Sequence, residues 1–323
     1  MHERATSINA NERVYISVVM PLFNKERTVA RALNCILNQT VSPLEVIIIN
    51  DGSTDQGANI ARKICHGKQG YRVVDQNNMG VSVARNYGIE LVKAKYVALL
   101  DADDYWADNH IEELSNAIAN HPECGMYVSG SARVRNEAEI NELIVNKKNA
   151  EPSKLNSFQF LDAYSKRPSM VHTSGVCINK NILSISGNFP VGGKRSQDVY
   201  LWLKIALCSK VSFTGALTAF QITDESGLGR RATEVPIYIS DFLNDLSKID
   251  TEYHSLLRRI AIRGAVTSYL ASLTSGVDIS KKLSVALLNT LPVESKVFLA
   301  LSWWPHKRSL HYMARVVLKR KNR

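Results

Sequence analysis

Asp101 and Asp103 stand on either side of Ala102, directly after the apolar run Tyr96-Val-Ala-Leu-Leu100. Two carboxylates at i and i+2 on a loop leaving a strand can converge on a hard divalent cation, which in turn binds diphosphate oxygens. Such a cation neutralises the charge that builds on a departing diphosphate. A solvated loop with Asp104 or Asp108 capping the next helix has the same pattern, so the pair alone leaves both readings open. A second acidic turn, Asn50-Asp-Gly-Ser-Thr-Asp55, follows the apolar run Glu45-Val-Ile-Ile-Ile49. Asp51 can accept a hydrogen bond from the N–H of a uracil-like base, with Gly52 and Ser53 allowing a tight turn against a ligand. Taken alone, a plain turn with Asp55 as a helix cap is the simpler account.

The elements around these acids alternate. Ile16–Met20, Glu45–Ile49, Tyr71–Val74 and Tyr96–Leu100 read as strands, the first ending at Pro21. Thr28–Asn38 and Val81–Val92 have helical spacing. Strand–helix alternation of this kind predicts a parallel sheet covered by helices on both sides. In such sheets ligands collect beyond the carboxyl ends of the strands, where both acidic turns fall. From about Gly125 to Phe220 the pattern becomes mixed β and helix, including a helix over Asp198–Cys208. After about Pro236 it is helical, with breaks at Pro292 and Pro305.

The chain has 323 residues, with 45% hydrophobic and 22% charged, as expected of a globular protein able to bury a core. Its five cysteines are scattered and form no C-x-x-C pair, which suggests buried thiols in a reducing compartment rather than disulfides or a zinc site. His66, His121 and His172 are isolated, and none reads as a metal ligand. The net charge of +10 is concentrated at one end: eight Lys/Arg and no acid lie between Lys296 and Arg323, leaving 32 basic and 30 acidic residues elsewhere. A nearly neutral body argues against a nucleic-acid partner. No G-x-G-x-x-G follows the first strand, as a dinucleotide-dependent dehydrogenase needs. The G-x-G-x-R loop of a nucleotidyltransferase is also absent. The polar N-terminus lacks a signal sequence and no run is long enough to span a bilayer, so a cytoplasmic location is expected.

Four segments stand in an order that resembles the family 2 glycosyltransferases, which are inverting enzymes of GT-A fold. They are Ser17-Val-Val-Met-Pro-Leu-Phe-Asn24, Ile49-Asn-Asp-Gly-Ser-Thr-Asp55, Asn78-Met-Gly-Val-Ser-Val-Ala-Arg-Asn-Tyr-Gly88 and Leu100-Asp-Ala-Asp-Asp104. The likeness is strong over residues 14–108, returns at 187–202 and is absent after about 229. It implies an α/β fold with a mostly parallel, Rossmann-like sheet flanked by helices and a catalytic domain over residues 1–232, while residues 233–323 read from their own pattern and charge as a helical, basic region. It also implies a nucleotide-sugar donor, most often a UDP-sugar. Pro21, Phe23 and Asn24 would line the base pocket and Asp51 would bind the base. Asp101 and Ala102 would contact the ribose or donor, and Asp103 would hold Mn²⁺ or Mg²⁺. Arg85 would either touch the donor or pin its helix to the sheet. Gly187-Asn-Phe-Pro190 and Ser196-Gln-Asp-Val-Tyr-Leu-Trp202 are similar to the segment that carries the catalytic carboxylate, which maps the general base to Asp198.

Two positions depart from the family pattern. Gln197 stands where Glu often precedes the base, and Phe220-Gln-Ile-Thr-Asp-Glu-Ser226 lacks the histidine that can assist the metal, with Asp224 a candidate substitute. The acceptor pocket is expected near Lys194, Arg195 and Trp202. The resemblance points to a glycan or lipid-linked glycan acceptor of bacterial surface polysaccharide or lipopolysaccharide assembly. On a helical projection from His306, Arg308, His311, Arg315 and Lys319 share one face, and Leu310, Met313, Ala314 and Val317 the other. With Trp303 and Trp304 before it, this stretch suits an anionic membrane surface, peripheral at the inner face of the plasma membrane. A sugar-nucleotide-binding protein without transferase activity is the competing reading.

Overall fold

The structure is a computed structural model and describes residues 14–146, 150–193, 195–223, 236–239 and 248–274. The chain divides into two compact units, one of Met1–Gly193 with Gln197–Leu228 and the other of Lys194–Ser196 with Gly229–Arg323. The family segments lie in the first.

That unit is built on nine strands among the described residues, in the order β3-β2-β1-β4-β8-β6-β9-β5, with β7 also paired to β9. The first four are β1 (Ile16–Leu22), β2 (Glu45–Asp51), β3 (Tyr71–Gln76) and β4 (Tyr96–Leu99), and all their mutual pairings are parallel. They are joined through α1 (Val29–Leu37), α2 (Gly57–Cys65) and α3 (Val81–Leu91). The run of branched side chains in β2 is buried along its whole length, as a strand covered on both faces requires. Helix α1 buries Val29, Ala32, Leu33 and Ile36, the spacing of one helical stripe.

β1 runs through Pro21 to Leu22 rather than ending before the proline. Proline cannot donate to a sheet ladder. Here the pairing with β4 stops at Val19 and Leu99, so Pro21 sits where only β2 remains as a neighbour.

Beyond β4 the sheet becomes mixed. β5 (Asp104–Trp106), α4 (His110–Asn120), β6 (Met126–Val134), α5 (Glu137–Asn146), β7 (Ser153–Leu155) and α6 (Ser157–Lys166) come next. They are followed by β8 (Val176–Asn179), α7 (Leu183–Ser186), α8 (Gln197–Cys208) and β9 (Val211–Ile222). β8 is antiparallel to both β4 and β6, while β6 and β9 run parallel. The second unit includes the helix α9 (Thr251–Thr274). Among the described residues no helix is long and apolar enough to cross a membrane. The basic stretch from Lys296 onward, with Trp303 and Trp304, lies outside the described residues.

The structure decides against part of one alternative left open above. Asp104 does not belong to a loop that caps the next helix: it opens β5, opposite Gln221 of β9. α4 instead begins after Asn109, whose side chain makes no capping bond. The exposed edge of β9 supplies backbone partners for residues 104–106, and a ladder satisfies more backbone groups than one cap does. The cysteines are all free, as expected, with Cys208 exposed and the others buried.

Helix α3 lies against β1 and β2 at Gly88. A Cβ there would press closer than van der Waals contact on Cγ1 of Val19 and come within 3.3 Å of Cγ1 of Ile49. Val19 is fully buried and has no room to turn away. Gly88→Ala is therefore expected to destabilise the protein by about 1–3 kcal/mol, measured as a lower urea midpoint. An unchanged midpoint would mean that α3 does not pack this closely.

Candidate active site

The carboxyl ends of β1, β2 and β4 gather the polar segments. At the end of β1, Asn24 takes up a left-handed conformation (φ 52°), which asparagine tolerates better than most residues. Its side-chain oxygen accepts from the Thr54 N–H at 2.8 Å, and its own N–H donates to Ser53 Oγ at 3.2 Å. Asn24 thus fastens the loop after β1 to the loop after β2. Pro21 beside it is half-buried and Phe23 is 42% exposed, an aromatic face open to a ligand.

Asp51 is buried, and both its oxygens are engaged. Oδ1 accepts from Gln76 Nε2 at 2.7 Å and from the Met79 N–H at 2.8 Å, and Oδ2 accepts from the Gly80 N–H at 2.9 Å. Gly80 (φ 90°) is the residue from which α3 starts. The residue mapped to base binding therefore also ties the end of β2 to the start of α3. A base would meet only the lone pairs these bonds leave.

The acids after β4 are crowded, and each has its own counterweight. Arg85, buried in α3, donates to Asp101 Oδ1 at 2.6 Å and lies 5.3 Å from the centre of the Phe189 ring. Burial opposes its charge, but Asp101 first and then Asp198 outweigh that and hold the guanidinium more firmly protonated than usual. Asp103 receives the Lys25 ammonium at 2.5 Å, and its carbonyl accepts from Arg31 at 3.0 Å. Asp104 has no cationic partner at bonding distance. Its carboxyl accepts from Ser174 Oγ and lies 3.7 Å from Nδ1 of His172. Burial first, then the charges of Asp101 and Asp103, push its pKa well above the ordinary carboxylate range. Ala102, between Asp101 and Asp103, is buried.

Asp198 lies in the first turn of α8. Its Oδ2 accepts from Thr173 Oγ1 at 2.9 Å and its Oδ1 from the Val199 N–H at 2.8 Å. Its influence on Arg85 and on His172 shows that it shares the same electrostatic environment as the acids after β4. Gln197 is buried, and its amide donates to the Gly193 carbonyl. An ionised Glu could not make that bond, which gives the departure from the family a local physical reason.

The structure also uses residues that the sequence did not single out. Asn86, next to Arg85, binds Phe189 in both directions: its Nδ2 donates to the Phe189 carbonyl at 2.9 Å and its Oδ1 accepts the Phe189 N–H at 3.0 Å. This clamp links α3 to the segment leading to α8. Thr173 and Ser174, on a short 3₁₀ turn before β8, touch the base candidate and the acids respectively. His172, read as isolated, is packed beside Asp104. Burial lowers its pKa while Asp101 and Asp198 oppose that. The only local signal for these was the Arg-Asn pair in the third family segment.

Trp202, expected at the acceptor pocket, is instead in the core. Its indole is 1% exposed and packs edge-on against Phe189 at 5.7 Å. On α8 it lies one turn beyond Asp198, on a stripe with the buried Leu201 and Ile205. Arg195 lies in the second unit, where burial lowers its basicity and its carbonyl accepts from the Ile237 N–H at 3.2 Å. Lys194 and Asp224 are outside the described residues.

The carboxylates fit a divalent cation by chemistry, since hard oxygen donors suit Mn²⁺ or Mg²⁺. The ammonium of Lys25 on Asp103 shows that this carboxylate draws a cation. Among the described residues no three His, Cys, Asp or Glu side chains form a ready metal cage.

Comparison with known proteins matches this arrangement to a family. The model of glycosyl transferase family 2 matches residues 17–178, half of the chain. The chain belongs to the family 2 glycosyltransferases and has the GT-A fold. It is 45% identical over 89 residues to the uncharacterized glycosyltransferase YibD of Escherichia coli K12, covering 28% of this chain and 26% of that protein. It is 31% identical over 122 residues to the uncharacterized glycosyltransferase EpsJ of Bacillus subtilis, covering 36% of each. The matches thus span about a quarter to a third of these relatives' own lengths. In fold, it is similar to the mannosyltransferase PcManGT of Pyrobaculum calidifontis in complex with GDP-Man and Mn²⁺. There the TM-score is 0.57 at 17% identity, covering 96% of this chain and 86% of that one. It is also similar to Staphylococcus aureus TarS 1-349 with UDP-GlcNAc. The TM-score is 0.53 at 18% identity, covering 84% and 86%.

Asn86→Ala removes both bonds of the clamp. It is expected to cost about 1–3 kcal/mol and to speed hydrogen exchange at the Phe189 amide. Unchanged exchange there would mean that the segment is held by other contacts.

Proposed function

We propose that this glycosyltransferase moves a sugar from a nucleotide-sugar, in the first instance a UDP-sugar, onto an acceptor hydroxyl with inversion. The observation that carries this reading is the joining of Asp198 and the acids after β4 through adjacent residues of one turn, Thr173 and Ser174. Asp198, with each oxygen oriented by one donor, takes the acceptor's proton as general base. Positioned bases of this kind contribute about 10²–10⁴-fold. Phe23, Pro21 and Asn24 receive the base of the nucleotide, and Asp51 contacts it while holding the start of α3. Asp101 would contact the ribose or donor, and Asp103 would hold Mn²⁺ or Mg²⁺. That ion, when bound, supplies electrostatic stabilisation of the leaving diphosphate.

Two of the structurally similar proteins were crystallised with nucleotide-sugars, one of them with Mn²⁺, which supports the donor and ion assignments by analogy of fold. The acceptor we favour is a glycan or lipid-linked glycan of surface polysaccharide assembly. The basic C-terminal region would bring the enzyme to an anionic membrane.

The full chain screened against UDP-, GDP- and dTDP-sugars with Mn²⁺, Mg²⁺ or EDTA is expected to hydrolyse one donor slowly, only with metal. Asp103→Ala is expected to abolish metal-dependent binding. Asp198→Asn is expected to keep binding and lose about 10²-fold or more in turnover. Binding to no donor in a folded protein would end the reading, and binding without turnover for every acceptor tried would favour a sugar-nucleotide-binding protein instead. A chain ending at Leu291 is expected to lose affinity for phosphatidylserine-containing liposomes. Equal binding by the two chains would remove the membrane part of the proposal.

A further inference from the structure

The turn Thr173–Gly175 occupies an unusual place in the first unit: it bonds to the carboxyl groups of Asp198 and Asp104 and to the backbone of Asp101. Thr173 Oγ1 donates to Asp198 Oδ2 at 2.9 Å. One residue on, Ser174 Oγ donates to Asp104 and accepts the Asp101 N–H at 3.1 Å, so a single hydroxyl uses its donor and one acceptor site on neighbouring acids. The Ser174 carbonyl accepts the indole N–H of Trp106, which fixes the turn to β5. The turn has little freedom of its own. Thr173 and Ser174 are buried, the Gly175 N–H returns to the His172 carbonyl at 2.8 Å, and a Cβ at Gly175 would come within 3.0 Å of Ser129 Oγ. Immediately after it, β8 is hydrogen-bonded on both sides, to β4 and β6. Asp198 by contrast sits at a helix start, half-exposed, and is reached by Thr173 from outside its own helix.

We propose that Thr173 and Ser174 are positioning residues: together they set the carboxylate of the base at a fixed distance from the acids on the leaving-group side. The proposal rests on the reading of Asp198 as general base. In-line transfer needs the acceptor oxygen, the sugar carbon and the leaving oxygen aligned, and a displacement of about 1 Å of a reacting group costs up to about 10²-fold. Without the Thr173 hydroxyl, Asp198 keeps only the Val199 N–H of its own helix and is free to turn about its terminal torsion. Ser174, holding Asp101 by its backbone and Asp104 by its side chain, fixes the other end of the same span. Thr173 touches no donor-side group. Its loss should therefore fall on turnover and leave nucleotide binding alone.

The test uses the full chain and slow hydrolysis of whichever nucleotide-sugar the panel identifies, with water standing in for the acceptor. Thr173→Val keeps the shape and removes the hydroxyl. It is expected to lower kcat about 10- to 100-fold with the donor KM, and the Kd of the matching nucleoside diphosphate, changed less than about threefold. Thr173→Ser is expected to restore most of the rate. In an Asp198→Asn background, Thr173→Val is expected to cost little more, because the carboxylate it orients has already gone. If valine at 173 prevents folding, Thr173→Ala compared with Thr173→Ser carries the same test. A normal kcat in Thr173→Val, or an equal loss of nucleotide affinity and rate that serine does not rescue, would overturn the proposal while leaving the base assignment intact. Full activity in Asp198→Asn would instead overturn the base assignment on which it rests.

Discussion

Three carboxyl groups within four residues, Asp101, Asp103 and Asp104, meet at the end of β4, and like charges at that separation in a partly buried place repel strongly. The surrounding structure offsets this repulsion with a different device for each acid. Asp101 has the buried guanidinium of Arg85, reached across the sheet from α3. Asp103 has the Lys25 ammonium from the loop after β1. Asp104 has a hydroxyl, and its pKa rises because burial and its two neighbours both favour the neutral acid.

This balance explains why helix α3 carries more than its own packing. Its start is held by Asp51, its middle presents Arg85 to Asp101 and Asn86 to Phe189, and its Gly88 lies flush on β1. Phe189 in turn lies between Arg85 and Trp202. The segment before α8 is thus held by the same helix that pairs a guanidinium with Asp101. Arg85 and Asn86 thus join the acids after β4 to the segment that leads into α8 by direct contacts.

The first half of the unit was legible because its signals are local. Runs such as Glu45–Ile49 and the helical stripe of α1 declare strand and helix within a few residues. Strand–helix alternation then leaves a parallel sheet as the economical way to cover both faces. The four ordered family segments added site residues that periodicity could not. The second half resisted because its pairings are long-range. β8 and β9 take partners far away in sequence, and Asp104 became part of a strand only because β9 offered an edge. Trp202 was misplaced for the same kind of reason: its neighbour Asp198 suggested a site, but the helix turns the indole into the core.

By itself, the amino-acid sequence determined the parallel α/β framework, the positions of the acidic turns at strand ends and the chemistry open to them, because these depend on periodicity and residue type over short windows. Only the tertiary structure decided which groups meet. Arg85 finds Asp101 across 16 residues, Asn86 finds Phe189 across 103, and Thr173 finds Asp198 across 25. His172 changed from an isolated residue to a neighbour of Asp104. Such contacts are set by the packing of whole elements, and a hydrogen bond of about 3 Å leaves no periodic trace in the chain that makes it.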